Sequence, residues 1–205
     1  MLQEIYILDL IGTFAFAIYG SYFGLKKDLD IFGVSICAFL MALGGGTIRE
    51  IILNNTPFYF FDMNYILAII IAIILTIFIY KKFHRIKPFA LVLDSVGLVT
   101  FAFIGATKAN ELGFGVFAII FLATISAVGG GILKDLVLNE VPEIMYKDFY
   151  ASVAILLGII YGFVHPYMDN ILWANMLILL CLTIRLFAIF LKINLWKPKT
   201  EKMKK

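Results

Sequence analysis

Charged residues are scarce in this chain: they make up 15% of its 205 residues, whereas hydrophobic residues make up 62%. Because a soluble domain has about a quarter charged residues, this composition excludes an ordinary soluble globule and a disordered protein. The net charge of +3 is too small to indicate a nucleic-acid-binding surface. We therefore expect no nucleic-acid partner.

Cysteine and histidine are also rare, with two of each. Cys37 and Cys181 both lie in apolar runs, which argues against a disulfide scaffold. His84 and His165 have no second histidine in helical register. We therefore expect no cofactor, and no metal beyond transient monovalent cations.

Long apolar runs dominate the sequence instead. A helix needs about 20 apolar residues to cross a bilayer, and backbone groups in lipid must be hydrogen-bonded internally. The predicted fold class is therefore an all-α polytopic membrane protein with seven transmembrane helices. The seven predicted spans are Glu4–Gly24, Ile31–Leu53, Tyr65–Tyr80, Phe89–Lys108, Gly113–Leu138, Asp148–His165 and Ile171–Leu191.

The spans leave too little chain for a separate catalytic domain, since only about 65 residues remain for loops and tails. The spans also lack the GxGD motif of aspartyl intramembrane proteases and a GxSG serine motif. A retinal protein needs a lysine midway along its last helix, where this chain has Arg185. We therefore predict that the protein is not an enzyme.

Lysine and arginine are concentrated on one side of the predicted membrane. Thirteen of them fall on the side opposite the N-terminus, whereas only Lys108 falls on the N-terminal side. By the positive-inside rule, the N-terminus is predicted outside and the C-terminus in the cytoplasm, in a multi-pass protein of the cell membrane. The basic tail can attract anionic lipid headgroups.

An internal repeat is the strongest feature of the sequence. The stretch GGGTIREIILNNTP begins at Gly44, and the similar stretch GGGILKDLVLNEVP begins at Gly129. The same offset aligns LDLIGTFAFAIYG from Leu8 with LDSVGLVTFAFIG from Leu93. Each copy holds three spans, an odd number, so the second copy is predicted to cross the membrane in the opposite direction, as in inverted-repeat transporters.

This repeat divides the chain into four predicted parts. Residues 1–88 form the first three-helix repeat and residues 89–168 the second, inverted one. Residues 169–192 form the seventh helix, and residues 193–205 form a basic cytoplasmic tail.

The glycine triplets have two interpretations. Three consecutive glycines weaken a helix by about 1 kcal/mol each relative to alanine, so a break or kink beside an aqueous path is the functional interpretation. Close packing of helices through small residues is the structural alternative. The six glycines concerned are Gly44, Gly45, Gly46, Gly129, Gly130 and Gly131.

Charged residues inside spans are costly and usually face a polar interior. Arg49 and Asp9 lie at similar predicted depth, and the repeat gives the same relation for Lys134 and Asp94, so we expect one acid–base pair in each half of the membrane. These four residues and the triplets are the candidate pore or gating residues. Adjacent acids can instead lie at a subunit or headgroup interface, and Arg185 can instead snorkel to the surface. The secondary candidates are Glu50, Asp135, Thr47, Ser126 and Arg185.

The doubled GGG-x-[IL]-[RK]-[DE] pattern, within two three-helix repeats and a seventh helix, resembles the prokaryotic branch of the trimeric intracellular cation channel (TRIC) family. The resemblance implies a homotrimer with a pore in each subunit that passes monovalent cations, chiefly potassium and also sodium. It also implies that the glycine triplets bend the second and fifth helices beside the pore, with Arg49 and Lys134 following them. Membrane lipids are implied partners, although the lysine-glutamate-valine motif of eukaryotic members is missing.

Two functions follow from these patterns. One is a passive cation channel, which needs a continuous wet path with weak sites. The other is a secondary transporter of a small zwitterion such as glycine, for which a paired Asp and Arg could hold the ammonium and carboxylate groups. The sequence leaves both open.

Overall fold

The computed structural model describes residues 2–83, 87–146, 149–167 and 170–193. Within these ranges the chain forms seven α-helices and three short 3-10 helices. His84 and the tail from residue 194 onward lie outside the described residues. The α-helices are α1 (Leu2–Lys26), α2 (Ile31–Ile52), α3 (Met63–Phe83), α4 (Lys87–Glu111), α5 (Val116–Val137), α6 (Tyr150–Val164) and α7 (Ile171–Phe190).

Each of the seven helices lies in a segment that is long and apolar enough to cross a membrane, and the sixth such segment, Tyr150–Tyr167, combines α6 with the 3-10 turn that follows it. The prediction of an all-α, seven-span membrane protein is confirmed. The fifth helix begins later than predicted, at Val116, because Gly113 adopts a φ of 72° and Gly115 forms an extended N-cap. A helix cannot continue through that left-handed backbone conformation.

The internal repeat is present in the backbone. Shifting both ends of α1 along the chain by the offset between Gly44 and Gly129 gives the ends of α4. The same shift of α2 gives the ends of α5. The 3-10 helices at Phe58–Phe60 and Glu143–Met145 keep the same offset, as do Asn54 and Asn139, which both have a positive φ. The inverted orientation of the two copies and the domain limits at residues 88 and 168 stay predictions.

The core of the bundle is formed by α1, α2, α4 and α5. α1 and α4 are the most buried helices, whereas α3 and α7 are the most exposed. The exposed positions of the peripheral helices are large apolar side chains such as Phe78, Met176 and Leu179. These faces suit contact with lipid acyl chains, whereas charged residues such as Arg49 and Lys134 are buried towards the bundle interior.

The glycine triplets lie where α2 and α5 cross. A methyl group at Gly45 would overlap the carbonyl oxygen of Ser126, and one at Gly130 would overlap that of Met41. A methyl carbon at Gly44 would lie 3.0 Å from the Cα of Gly130. The two backbones can approach this closely only because these positions lack a side chain.

The second and fifth helices are not broken at the triplets, whereas a bend there stays a prediction. α2 and α5 are each one continuous α-helix through Gly44–Gly46 and Gly129–Gly131. The physical reason is that tertiary packing overrides the low helix propensity of glycine, because the triplets bring two backbones into contact. The alternative interpretation, close packing through small residues, describes what these glycines do.

We expect Gly45→Ala and Gly130→Ala to destabilise the protein by about 2 kcal/mol or more each, since overpacking of a closed contact costs about 1–3 kcal/mol. Gly131→Ala is the matched control, because its nearest side-chain atom would be 3.8 Å from the added methyl carbon. Thermal denaturation in detergent measures the effect. Equal melting temperatures for all three variants would contradict the packing role.

Candidate functional site

Two buried charged pairs mark the ends of the crossing helices. Arg49 and Glu50 lie in the last turn of α2, and Lys134 and Asp135 lie at the corresponding place in α5. All four side chains are at most 2% exposed. They are buried because they follow the glycine triplets by less than two helical turns, and the triplets fix the closest approach of α2 and α5.

In the first pair, the guanidinium group of Arg49 is bound by the acid next to it in the chain. Nε and Nη2 of Arg49 lie 2.9 and 2.7 Å from Oε1 of Glu50. Nδ2 of Asn55 donates to Oε2 of Glu50 at 3.3 Å, and Nζ of Lys108 lies 3.7 Å from Oε1. Glu50 thus holds two bases from two helices.

In the second pair, Nζ of Lys134 lies 2.7 Å from Oδ1 of Asp135. Oδ2 of Asp135 accepts a hydrogen bond of 2.8 Å from the backbone N–H of Glu143. Nζ of Lys134 also lies 3.8 Å from the centre of the Phe23 ring and 5.8 Å from that of Tyr19. The ammonium group is therefore held by a carboxylate and by the faces of two α1 aromatic rings.

The expected partners of these bases differ from the observed ones. Arg49 does not pair with Asp9, nor Lys134 with Asp94, within the described residues; each base pairs with the next residue in its own helix. Long side chains of adjacent residues can fold towards each other. Because both side chains are buried, pairing them has a lower free energy than leaving each charge without a partner. Glu50 and Asp135 are buried inside the chain, so their expected placement at a subunit or headgroup interface is wrong.

The two aspartates have tyrosine partners instead. Tyr65 donates to Oδ2 of Asp9 at 3.1 Å, and Tyr150 donates to Oδ1 of Asp94 at 2.8 Å. Tyr65 and Tyr150 are equivalent positions of the two repeats, as are Asp9 and Asp94. The sequence analysis missed both tyrosines, although extending the repeat past its proline would have identified them.

Arg185 of α7 belongs to the second half of the site. Its Nη2 lies 3.9 Å from Oδ2 of Asp94, and its guanidinium carbon lies 4.9 Å from the centre of the Tyr150 ring. Arg185 is 1% exposed, so the snorkelling interpretation is wrong. α7 therefore places a cationic side chain beside the aspartate of the second repeat, Asp94. It places none beside Asp9, the equivalent aspartate of the first repeat, among the described residues.

Two secondary candidates lie near the helix crossing. Oγ1 of Thr47 donates to the carbonyl oxygen of Leu43 and shares a hydrogen bond of 3.1 Å with the hydroxyl of Tyr59. Ser126 is buried, and its Oγ has no hydrogen-bond partner in the described part of the chain. The charged and tyrosine residues around the two buried pairs form two clusters. The first cluster is Asp9, Arg49, Glu50, Tyr65 and Lys108, and the second cluster is Asp94, Lys134, Asp135, Tyr150 and Arg185.

A polar vestibule adjoins the second cluster. Its volume is about 400 Å³, and its walls include Tyr19, Phe23, Lys27, Glu140 and Glu143. Lys27 and Glu140 form an ion pair, and the hydroxyl of Tyr19 donates to Oε2 of Glu143 at 3.1 Å. Because Tyr19 and Phe23 also contact Lys134, these two rings separate the vestibule from the buried ammonium group.

The same family model matches the chain twice. This model is described as glycine transporter, and it matches residues 6–81 and 91–166. The shift between the two matches is the offset of the sequence repeat and of the helices. The internal repeat is confirmed.

Relatives with similar sequences are bacterial membrane proteins. The chain is 37% identical over 155 residues to a UPF0126 membrane protein of Deinococcus radiodurans, a match that covers 74% of this chain and 72% of that protein. It is 36% identical over 160 residues to the UPF0126 inner membrane protein YadS of Escherichia coli K12, with 77% of each chain covered.

Solved structures of TRIC channels share the fold. A prokaryotic TRIC channel crystallised in 0.5 M KCl gives a TM-score of 0.88 at 34% identity, covering 95% of this chain and 100% of that chain. A TRIC cation channel solved to explain conductance gives 0.87 at 33% identity, with 95% and 97% covered. The orthologue from Rhodobacter sphaeroides gives 0.76 at 30% identity, with 92% and 94% covered.

We expect Lys134→Gln to destabilise the protein strongly, because it leaves the carboxylate of Asp135 buried without its base, a change that costs about 3–5 kcal/mol. The double variant Lys134→Gln/Asp135→Asn should recover most of that loss. Thermal denaturation of the purified protein in detergent measures both.

The matched control is Lys27→Gln, which breaks the half-exposed ion pair with Glu140. Exposed pairs contribute about 0–1 kcal/mol, so its melting temperature should stay near that of the unchanged protein. A double variant no more stable than Lys134→Gln would contradict the coupling of the buried pair.

Proposed function

Because the chain belongs to the UPF0126 family of bacterial membrane proteins, the prokaryotic branch of the TRIC family, we propose that it is a passive channel for monovalent cations, chiefly potassium and also sodium. The pathway lies inside one subunit, beside α2 and α5. The observation that carries this proposal is the pair of buried charged clusters at the two ends of the helix crossing.

Charged side chains inside a membrane protein usually line a polar interior, because exposure to lipid is costly. Arg49 with Glu50 and Lys134 with Asp135 are both buried in the bundle. Each base is balanced by an adjacent acid, so a cation approaching either cluster meets little net repulsion. A pore flanked by these pairs is therefore compatible with cation passage, whereas a pore flanked by unpaired bases would repel the cation.

The same pairs act as gates in this proposal. Both bases are at most 1% exposed, so a continuous wet path needs them to move. Moving one charge through the membrane potential is worth about 2.3 kcal/mol per 100 mV. Partial movement of Arg49 or Lys134 is therefore enough to make opening depend on voltage.

Assembly and location follow from the same relatives. Structures at 30–34% identity are TRIC channels, one described as a trimeric intracellular cation channel orthologue, and this supports a homotrimer. A relative is an inner membrane protein, which supports the cell membrane as the location, with membrane lipids around the exposed apolar helices.

A second candidate function is secondary transport of glycine. The description of the family model that matches each repeat favours it. A transporter would show saturable uptake of glycine and no unitary currents, whereas a channel would show unitary cation currents. The two functions therefore give opposite results in one set of reconstituted membranes.

We expect unitary potassium currents from the purified protein in planar bilayers and no saturable uptake of radiolabelled glycine by vesicles. Arg49→Gln or Lys134→Gln should raise the current or shift its voltage dependence, since each removes a gating charge. Asp9→Asn or Asp94→Asn should lower the current. Voltage-clamp recording of correctly assembled protein measures all four.

The control is Thr183→Val on α7, because Thr183 is exposed and its hydroxyl donates to the carbonyl oxygen of Leu179 in its own helix. If glycine uptake saturates and no currents appear, the protein is a transporter. If currents appear but none of the four charge substitutions alters them, the charged residues serve structure alone.

Orientation is tested with single introduced cysteines. The native Cys37 and Cys181 are buried, so background labelling is low. We expect a membrane-impermeant maleimide to label Thr56→Cys in intact cells and Lys26→Cys only after the cells are opened. The reverse pattern would place the N-terminus in the cytoplasm and contradict the proposed orientation.

A further inference from the structure

Two buried oxygen atoms on one face of α1 lack hydrogen-bond partners among the described residues. Asp9 is 7% exposed and Thr13 is fully buried. Tyr65 donates to Oδ2 of Asp9, but Oδ1 of Asp9 and Oγ1 of Thr13 have no partner in the described part of the chain. Residues four apart in a helix lie on the same face about 5–6 Å apart, so one ligand can reach both oxygens.

Thr13, like Ser126, differs from most of the helical hydroxyls that the structure describes. A serine or threonine inside a helix commonly donates to the carbonyl four residues earlier, and that bond satisfies it. Thr13 does not make this bond to Asp9. The residues that do make it are Ser21, Ser35, Thr47, Thr76, Ser95, Thr107, Thr124 and Thr183.

The second repeat lacks these features. The position equivalent to Thr13 is Leu98, whose side chain has no oxygen. The aspartate equivalent to Asp9 is Asp94, and Nη2 of Arg185 lies 3.9 Å from its Oδ2. Among the described residues, an open carboxylate oxygen one helical turn from an open hydroxyl therefore occurs in the first repeat and not at the equivalent place in the second.

Asp9 has no base within 4.0 Å in the described residues. Arg49, which acts on Asp9 through space, is held by two contacts to Glu50. A buried carboxylate without a base or a full set of donors is costly. A cation bound at Oδ1 would remove that cost, and a water molecule would remove only part of it.

The geometry points to a coordination site for a partly dehydrated monovalent cation at Oδ1 of Asp9 and Oγ1 of Thr13. The inference rests on the proposed channel function, because Asp9 belongs to the first cluster, which that proposal places beside the pathway. One carboxylate and one hydroxyl supply a single negative charge and hard oxygen ligands. Such a site suits potassium or sodium better than a divalent ion, which recruits more carboxylates, and its weakness is compatible with release.

The binding test uses the purified full-length protein in lipid nanodiscs. Melting temperatures are measured as KCl replaces N-methyl-D-glucamine chloride at constant ionic strength. We expect potassium to raise the melting temperature by about 3 °C at ten times its dissociation constant. Thr13→Val should raise the half-maximal potassium concentration about tenfold, and Asp9→Asn should abolish the shift.

Two variants serve as controls. Thr13→Ser keeps the hydroxyl ligand. Its half-maximal potassium concentration should therefore stay within about twofold of that of the unchanged protein. Thr107→Val removes a buried hydroxyl that donates to its own helix at Phe103, and it should leave the potassium dependence unaltered.

Bilayer recordings of the same proteins separate the site from the channel function. If the unchanged protein conducts cations but Asp9→Asn and Thr13→Val keep its potassium dependence, the site is wrong and the channel stands. If potassium stabilises the protein through Asp9 and Thr13 but no protein conducts, the channel is wrong and the site stands only as a binding site. If potassium has no effect on any melting temperature, the two oxygens are hydrated only and the inference fails.

Discussion

The contact between the backbones of α2 and α5 is the interaction on which the rest of the structure depends. Gly45 lies against the carbonyl oxygen of Ser126, and Gly130 lies against that of Met41. Side chains at either position would force the helices apart. Because the last turn of each helix follows its triplet closely, the separation of the helices decides whether the charged pairs are buried. The glycines thus place the charges at depth, where an uncompensated charge is costly and a paired one is tolerated.

Pairing within one helix has a consequence for movement. Arg49 and Glu50 travel together when α2 shifts, and so do Lys134 and Asp135 when α5 shifts. A pair that stays intact leaves the net charge along the proposed pathway unchanged. A pair formed between two helices would instead break when one helix moved past the other. The contacts that do change are those from the pairs to other helices. Glu50 contacts Lys108 of α4, and Lys134 contacts the Phe23 ring of α1. In the proposed channel, a gating movement would exchange these contacts between helices.

The seven spans and the repeat could be predicted from the sequence because both depend on patterns that can be read directly along the chain: apolar length and a fixed offset. The partners of Arg49 and Lys134 could not, because adjacent residues project about 100° apart on an ideal helix and only tertiary burial folds their side chains together. A helix break at the triplets was favoured because propensity is local, whereas the carbonyl of Ser126 that fills the space beside Gly45 belongs to the other repeat. Tyr65 was missed because an aromatic residue near a span end fits an interfacial belt equally well.

The two repeats keep the same offset through their first two helices and the 3-10 helix that follows, so in this part of the fold any functional difference between the two halves must come from side chains. Three differences in side chains supply it. Phe23 in the first repeat corresponds to Lys108 in the second, so a ring faces Lys134 where an ammonium faces Glu50. Thr13 corresponds to Leu98, and α7 adds Arg185 beside Asp94 alone. The second cluster therefore has its aspartate covered by an arginine, whereas the first cluster keeps a carboxylate oxygen and a hydroxyl uncovered among the described residues. In the proposed channel, these differences give a pathway whose two ends differ in charge, so that a cation can be attracted at one point and released at another.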